Sequence, residues 1–590
     1  MEIQQNRIKN NKFGWIVKVA DIITNAVNKV EKIPNQIPEY ICFVLYTILH
    51  FVIAAFHEPW FDEAVAWQIA KNASVKTILF EVPHYEGHPQ LWHLVLVPLA
   101  KTGAPYELAL AIVSYLFSGL AVALILKYGA FPRIVKLILP FNYFMFYQYS
   151  VISRPYCMMM LAFVLLAMCY KRRNEYPGKY ILCLAFLSAT SAYGIVLAGG
   201  IAFCFVIEIF KEKMLSKDLK SLWCDRRCYA LAGLLFLASF LLISIMPGND
   251  TYATKFISNE TSEVETGIVK RLIYVFFALP SDLMLTSVYN CYTALLLKNI
   301  IVEWKELFMA MAFGIIIWML MVEMGRKRGT LLALMLPYLF FGLFAAFVYL
   351  GVHHTGVIYL FLTFWTWITL DNEEKNNIQN HKRLRKLGFD EYYSTFCGLK
   401  MIFIMALILI PTCWCIESSV LEVEKVYAPG REEAKFIKQY GLEKYRIWAK
   451  WKTLDDKGKP LSMDEINTNE MFYTDNVLAY FDENIFENKK LARSATDYSN
   501  HKVPTADENE ENYNKWKKAG LPDVLFGEVD TEAVFGEKAK NTYYALVYVN
   551  KFNYTWKGEC SEFRTHIYVR KDLLEKIGVQ EIREPWLNEK

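Results

Sequence analysis

The residues able to do chemistry lie where the chain leaves apolar segments. Between His57 and Trp92 the sequence reads HEPWFDEAVAWQIAKNASVKTILFEVPHYEGHPQLW, which places Asp62 and Glu63 shortly beyond the nearly all-apolar run Tyr40–Phe56. A carboxylate at a bilayer surface can deprotonate a hydroxyl as that hydroxyl attacks, and Asp62 is the expected base. Glu63 is its neighbour or orienter, because adjacent acids at a helix start point in different directions. Asp62 could equally cap the helix that follows, a common use of aspartate. His88, Arg154 and the pair His353-His354 are the candidates to hold a phosphate, since a guanidinium fork fits phosphate oxygens and histidine can donate to them when protonated. His84, Glu86 and His88 alternate along what reads as an extended loop, an inventory that also suits a divalent metal such as zinc.

The elements that must position these residues are membrane segments. Of the 590 residues, 54% are hydrophobic and 15% aromatic. The apolar content comes in blocks of about 17–21 residues, long enough to cross a bilayer. Runs fall at Leu91–Ala100, Leu108–Leu126, Ile134–Tyr149, Tyr156–Tyr170, Tyr180–Leu197, Ile201–Ile209, Ala230–Met246, Leu272–Leu297, Leu307–Met324, Leu331–Leu350, Val357–Leu370 and Leu399–Cys415. The pattern predicts a polytopic all-α membrane protein with about 11–13 crossings. Residues 1–38 are lysine-rich and amphipathic, which predicts a helix on the inner face and no cleaved signal. Residues 39–416 form the membrane domain, with 57–88 as its first outer loop.

The basic clusters Lys171-Arg172-Arg173, Lys211–Arg227, Arg326-Lys327-Arg328 and Lys382–Lys386 read as cytoplasmic. That assignment sends Asp62, Ser153-Arg154, the loop Pro247–Lys270 and His353-His354 outside. Lys127, Arg133 and Lys136 fit the alternation poorly, so a neighbouring segment is expected to be short or re-entrant. Ala64, Val65, Trp67 and Ile69 read as one face of a short helix lying along the bilayer, with Gln68 and Lys71 on the other face. The aromatic stretch FNYFMFYQY at Phe141–Tyr149 suits an interfacial belt better than a groove for a lipid tail and sugar.

After Cys415 charge rises and apolar runs shorten, so 417–590 is expected to form a soluble α/β or α+β domain outside the membrane. Helical stretches are expected at Arg431–Tyr440 and Val477–Phe486, and strands at Tyr445–Trp451, Thr542–Val549 and Thr565–Val569. Gly-rich phosphate loops are absent from the chain, and the basic residues sit between apolar runs, which argues against a nucleic-acid surface. The cysteine spacings give no zinc-like cluster.

Four patches, in order, resemble the GT-C glycosyltransferases, a superfamily that includes the protein O-mannosyltransferases and the aminoarabinose transferases of lipid A. They are Phe61-Asp62-Glu63-Ala64, Tyr85 to Leu91 (YEGHPQL), Tyr149 to Tyr156 (YSVISRPY) and Thr190-Ser191-Ala192-Tyr193. The resemblance covers roughly 40–210, and beyond that only the plan of a helical module followed by an outer domain. It implies a polyprenyl-phosphate-linked sugar as donor and a catalytic base at the acid after the first membrane helix, where Asp62 stands. It also brings Tyr156 into the donor-binding set with His88, Arg154, His353 and His354. Two positions depart from the family pattern: Pro89-Gln90 stands for Pro-Pro, and Ser191-Ala192-Tyr193 for Thr-His-Tyr.

The expected function is therefore transfer of a monosaccharide, with inversion, from a polyprenyl-phosphate lipid to the hydroxyl of a protein, lipid or glycan acceptor outside the cell membrane. A divalent ion is the one cofactor that the residues suggest. The rival expectations are a transporter or lipid flippase, which predicts mid-membrane charges and two related halves, and a non-catalytic membrane subunit.

Overall fold

Among the described residues six helices combine the length and apolarity needed to cross a membrane, and a small sheet follows them near the C-terminus. The structure is a computed structural model and describes residues 14–248, 251, 267–287, 304–372, 390–451, 474–487, 506–529 and 539–582. The basic cluster Lys382–Lys386 and most of the expected outer loop Pro247–Lys270 lie outside the described residues.

The amphipathic N-terminal stretch forms α1 (Gly14–Glu31). Its buried Ile16 and Ala20 pack where Gly398 leaves room on the last membrane helix, and Trp15 and Ile22 face outward. Helix α2 (Ile37–Phe56) opens with a proline in its first turn, where the missing N–H costs no hydrogen bond, and stops at His57. Helix α3 (Phe61–Asn72) carries the acidic pair. Helices α4 (Leu91–Lys101), α5 (Tyr106–Tyr128), α6 (Tyr156–Tyr170), α7 (Pro177–Ser188), α8 (Ala192–Leu215) and α9 (Arg226–Ile245) follow. The second half supplies α10 (Trp304–Arg328), α11 (Leu331–Phe347), α12 (Gly356–Asp371) and α13 (Asp390–Glu424). All are dominated by apolar residues, so packing and length define them more than helix propensity does.

Several boundaries differ from the sequence reading. The runs Tyr180–Leu197 and Ile201–Ile209 are divided at residues 189–191, where the Ser191 hydroxyl accepts the Gly194 N–H at 3.0 Å and starts a new helix through to Leu215. Helix α13 continues past Cys415 to Glu424, several residues beyond the boundary expected from the sequence. The stretch Ile134–Tyr149 is no single helix: a short helix at Arg133–Ile138 and one 3₁₀ turn lead into a π-helix at Tyr143–Val151.

The aromatic stretch is therefore not an interfacial belt. Every residue from Tyr143 to Val151 is buried, in the core shared by α5, α6, α12 and α13. The wide turn of a π-helix adds a residue per turn and fans the large rings in all directions, which only an enclosed environment accommodates.

Helix α3 is likewise enclosed and does not lie on the bilayer with a wet face. Its polar side meets the C-terminal module: Gln68 Nε2 donates to the Asp475 carbonyl at 2.8 Å and Lys71 pairs with Asp482 at 2.7 Å. A polar face can be buried when a second module supplies its partners.

The C-terminal module begins with α14 (Gly430–Tyr440) and builds a four-stranded sheet from β1 (Ile447–Trp451), β2 (Val524–Val529), β3 (Tyr544–Trp556) and β4 (Glu559–Arg570). The order is β1-β2-β4-β3, with β1 and β2 parallel and the other pairs antiparallel. The helix expected over Val477–Phe486 is confined to Asn476–Leu478. Beyond it the chain instead runs to the sheet, where Glu487 N–H donates to the Ile447 carbonyl at 2.9 Å.

The long β3–β4 hairpin turns at Lys557-Gly558, both with positive φ, as a two-residue turn of this type demands. Its tip penetrates the membrane module. Trp556 packs against Tyr143 and Phe144, and the Lys557 ammonium, with no exposure, sits on Asp282 at 3.1 Å.

Candidate functional site

Helix α3 starts under a tight set of restraints. Glu63 Oε2 accepts the Trp60 N–H at 3.1 Å, which caps the helix, so the capping role falls to Glu63 and not to Asp62. Glu63 Oε1 accepts the Ser153 N–H at 2.6 Å, and its carboxylate is fully buried. One bond thus ties the acidic pair to the segment that follows the π-helix. The next residue on each strand of this junction completes the site: Asp62 forms an ion pair with Arg154. The Asp62 side chain keeps 21% exposure and that of Arg154 only 10%, so the carboxylate faces an opening and the guanidinium forms its wall.

The remaining wall comes from the distant loop between α11 and α12. The Arg154 guanidinium carbon lies 5.8 Å from the Trp60 ring and 5.9 Å from the Tyr156 ring. Trp60 in turn meets His353 edge-on at 5.3 Å, and the His353 and His354 rings are 3.9 Å apart. His88 approaches His354 at 6.2 Å and Tyr156 approaches it at 5.7 Å. His88, Arg154, Tyr156, His353 and His354, spread over more than two hundred residues, therefore cluster together beside Asp62.

The hydrogen-bond inventory of that cluster is lopsided. His354 Nδ1 accepts the Gly351 N–H at 3.2 Å and lies 3.1 Å from the Tyr193 hydroxyl, so the neutral ring carries its proton on Nε2. Among the described residues that Nε2–H is buried without a partner, and so are the Trp60 indole N–H and His353 Nδ1. Burial, and then the nearby cations, push both histidines well below the usual imidazole range. Burial thus favours neutral rings over the protonated imidazoles that the sequence suggested, and His354 presents a donor at Nε2. Arg154 supplies the positive charge, and donors that lack acceptors surround it. Such a cluster can receive an anion, with Asp62 at its open side as the adjoining base.

The metal reading of His84, Glu86 and His88 needs correction. Residues 82–86 are helical, not extended, and Gly87 at φ +63° turns the chain before His88. A helix sends positions two apart to opposite sides. His84 Nδ1 meets the Met246 carbonyl at 2.8 Å, while His88 joins the His353-His354 cluster. Among the described residues no three histidine, cysteine or carboxylate side chains are grouped to hold a metal ion.

Two participants escaped the sequence reading. Glu422, near the end of α13, is buried and accepts the Tyr147 hydroxyl and one nitrogen of His57, at 2.8 Å for the latter. It is one of three acids, with Glu417 and Glu424, in the last turns of an apolar helix, and nothing in the sequence singles it out. His57, at the exit of α2, is buried between Glu422 and Glu63. Tyr193, from the fourth motif, reaches His354 by folding back from the start of α8. The C-terminal module adds Tyr554, stacked on Trp60 at 5.8 Å, and Tyr427, 5.1 Å from His57. The chain matches no protein-family model and no curated protein sequence.

Proposed function

We propose that this polytopic membrane protein is a GT-C-type glycosyltransferase. It takes a monosaccharide from a polyprenyl-phosphate lipid and passes it, with inversion, to an acceptor hydroxyl on the extracytoplasmic face. The N-terminus is cytoplasmic, the chain crosses about 11–13 times, and the C-terminal module lies on the side of Asp62. The observation that carries the reading is the pairing of Asp62 with Arg154 beside a cluster whose buried N–H groups lack acceptors among the described residues.

In this reading the acceptor hydroxyl loses its proton to Asp62 as its oxygen bonds to the sugar C1. The bond from C1 to the phosphate oxygen breaks on the opposite face. The departing phosphate gathers negative charge, and Arg154, His354 Nε2–H and the Trp60 indole N–H are in place to hold it. Neutral histidines suit this task, since they donate without requiring a proton from solvent.

The test is sugar transfer by purified protein in nanodiscs, with a panel of radiolabelled polyprenyl-phosphate monosaccharides and Asp62→Asn in parallel. Release of polyprenyl phosphate by the wild type from one donor, reduced at least 10²-fold in Asp62→Asn, is the expected result. Turnover of no donor, or full activity in the variant, removes the reading and leaves transport or a partner-binding role.

A further inference from the structure

We propose that His57 is a positioning residue: bridging Glu63 and Glu422, it locks the last membrane helix against the junction that brings Asp62 to Arg154. The inference rests on the transferase reading for its catalytic consequence, but the bridge itself does not. His57 Nε2 is 3.0 Å from Glu63 Oε2 and Nδ1 is 2.8 Å from Glu422 Oε1.

Both carboxyl groups already accept from other donors. Glu63 takes the backbone N–H groups of Trp60 and Ser153, and Glu422 takes the Tyr147 hydroxyl. Each therefore presents lone pairs to the ring, and only an imidazolium can donate on both sides at once. Burial alone would lower the His57 value, but the two carboxylates outweigh it and raise it to about 10. The other groups around it are consistent with a held cation. The Tyr427 ring lies 5.1 Å away and Glu58 lies next in the chain, while the Arg431 guanidinium, a like charge, is turned to the His57 carbonyl at 2.8 Å and to the carboxylates of Glu107 and Glu58.

Position along the chain gives the bridge its consequence. Glu63 adjoins Asp62, and Ser153, which Glu63 holds, adjoins Arg154. Glu422 anchors the same carboxylate cluster to α13 and, through Tyr147, to the π-helix that leads into Ser153. Without the cation, two buried carboxylates face each other, and the junction must separate or take up a proton. Either response shifts Asp62 relative to Arg154 while leaving the clustered donors in place.

Two measurements on the full chain in nanodiscs test this. The first needs no substrate: ¹⁵N-histidine NMR at pH 8, where an ordinary imidazole is neutral. The expected result is an imidazolium signal in the wild type that disappears in His57→Gln. Its absence in the wild type overturns the bridge whatever the enzymology. The second is steady-state transfer with the donor found above. A displacement of about 1 Å costs on the order of 10²-fold in rate, so His57→Gln should lower kcat roughly 30-fold or more with KM within about threefold. Pairing it with Glu422→Gln removes the surplus negative charge and should restore kcat at least roughly tenfold. An unchanged kcat, or a loss confined to KM, overturns the positioning role. If the wild type turns over no donor, the transferase reading falls, and the imidazolium signal alone decides the bridge.

Discussion

Lys557→Met should release the tip of the β3–β4 hairpin from the membrane module. The Lys557 ammonium is fully buried and contacts Asp282 Oδ1 at 3.1 Å, the Asp282 carbonyl and the Thr286 carbonyl at 3.4 Å. Asp282 Oδ2 in turn accepts the Tyr274 hydroxyl at 2.8 Å. Methionine keeps most of the lysine volume, so packing against Trp414 and Trp556 survives and the main loss is the cation. Removing one partner of a buried ion pair typically costs about 3–5 kcal/mol, because the remaining charge stays desolvated. At about 1.4 kcal/mol per tenfold, hairpin opening should become roughly 150- to 5,000-fold more frequent. Amide hydrogen exchange reads this directly: the Gly558 N–H, bonded to the Ser418 hydroxyl at 2.9 Å, and the Asn553 N–H, bonded to the Val426 carbonyl at 2.7 Å, should exchange faster by that factor. Amides in β2 serve as the internal control. Adding Asp282→Asn removes the stranded charge and should return exchange most of the way to wild type. Equal protection in Lys557→Met and wild type, or no recovery in the double variant, would refute the reasoning.

Three further outcomes are expected. Arg154→Lys exchanges a planar fork for a point charge and should lower transfer at least roughly tenfold while leaving the expressed fold intact, read by steady-state kinetics and size exclusion. Burial raises the Glu58 carboxyl to about 7 although Arg431 lies 3.7 Å away, so the folded chain holds this proton more tightly than the unfolded one. Stability from this group is full below the ordinary value near 4.5 and declines as pH rises through about 7. The loss amounts to at most about 3 kcal/mol, and thermal midpoints between pH 5 and 8 should flatten in Glu58→Gln. At Gly200 an added Cβ would sit 2.5 Å from the Pro337 Cα, a backbone atom that cannot move aside. Gly200→Val should therefore separate α8 from α11 and cost about 1–3 kcal/mol or more, measured as a fall in monodisperse yield and melting temperature.

Much of the architecture was legible because apolar length is a local property. The helix at Ile37–Phe56, the amphipathic helix at Gly14–Glu31 and three of the four strands of the C-terminal module follow from runs and alternation that neighbouring residues define among themselves, whereas β2 at Val524–Val529 was not expected. Three errors share one cause. The aromatic stretch at Tyr143–Tyr149, the wet face expected for α3 and the extended loop expected at His84–His88 were each read against solvent or lipid. Each instead meets another part of the chain or adopts a helical turn. Burial by a distant segment leaves no trace in local periodicity.

By itself, the sequence determined which chemical groups are present and which of them lie near the ends of membrane segments. Asp62, Arg154 and the histidine pair are conspicuous because polar groups are costly beside apolar runs. Only the tertiary structure decided which of them meet. It paired Asp62 with Arg154, delivered His353 and His354 to the same cluster, gave Glu63 the capping and bracing role, and inserted Glu422 and Lys557 as buried charges. The physical reason is that a buried charge or an orphaned donor is stabilised by particular partners at hydrogen-bond distance, and chain packing, not spacing along the sequence, sets those distances.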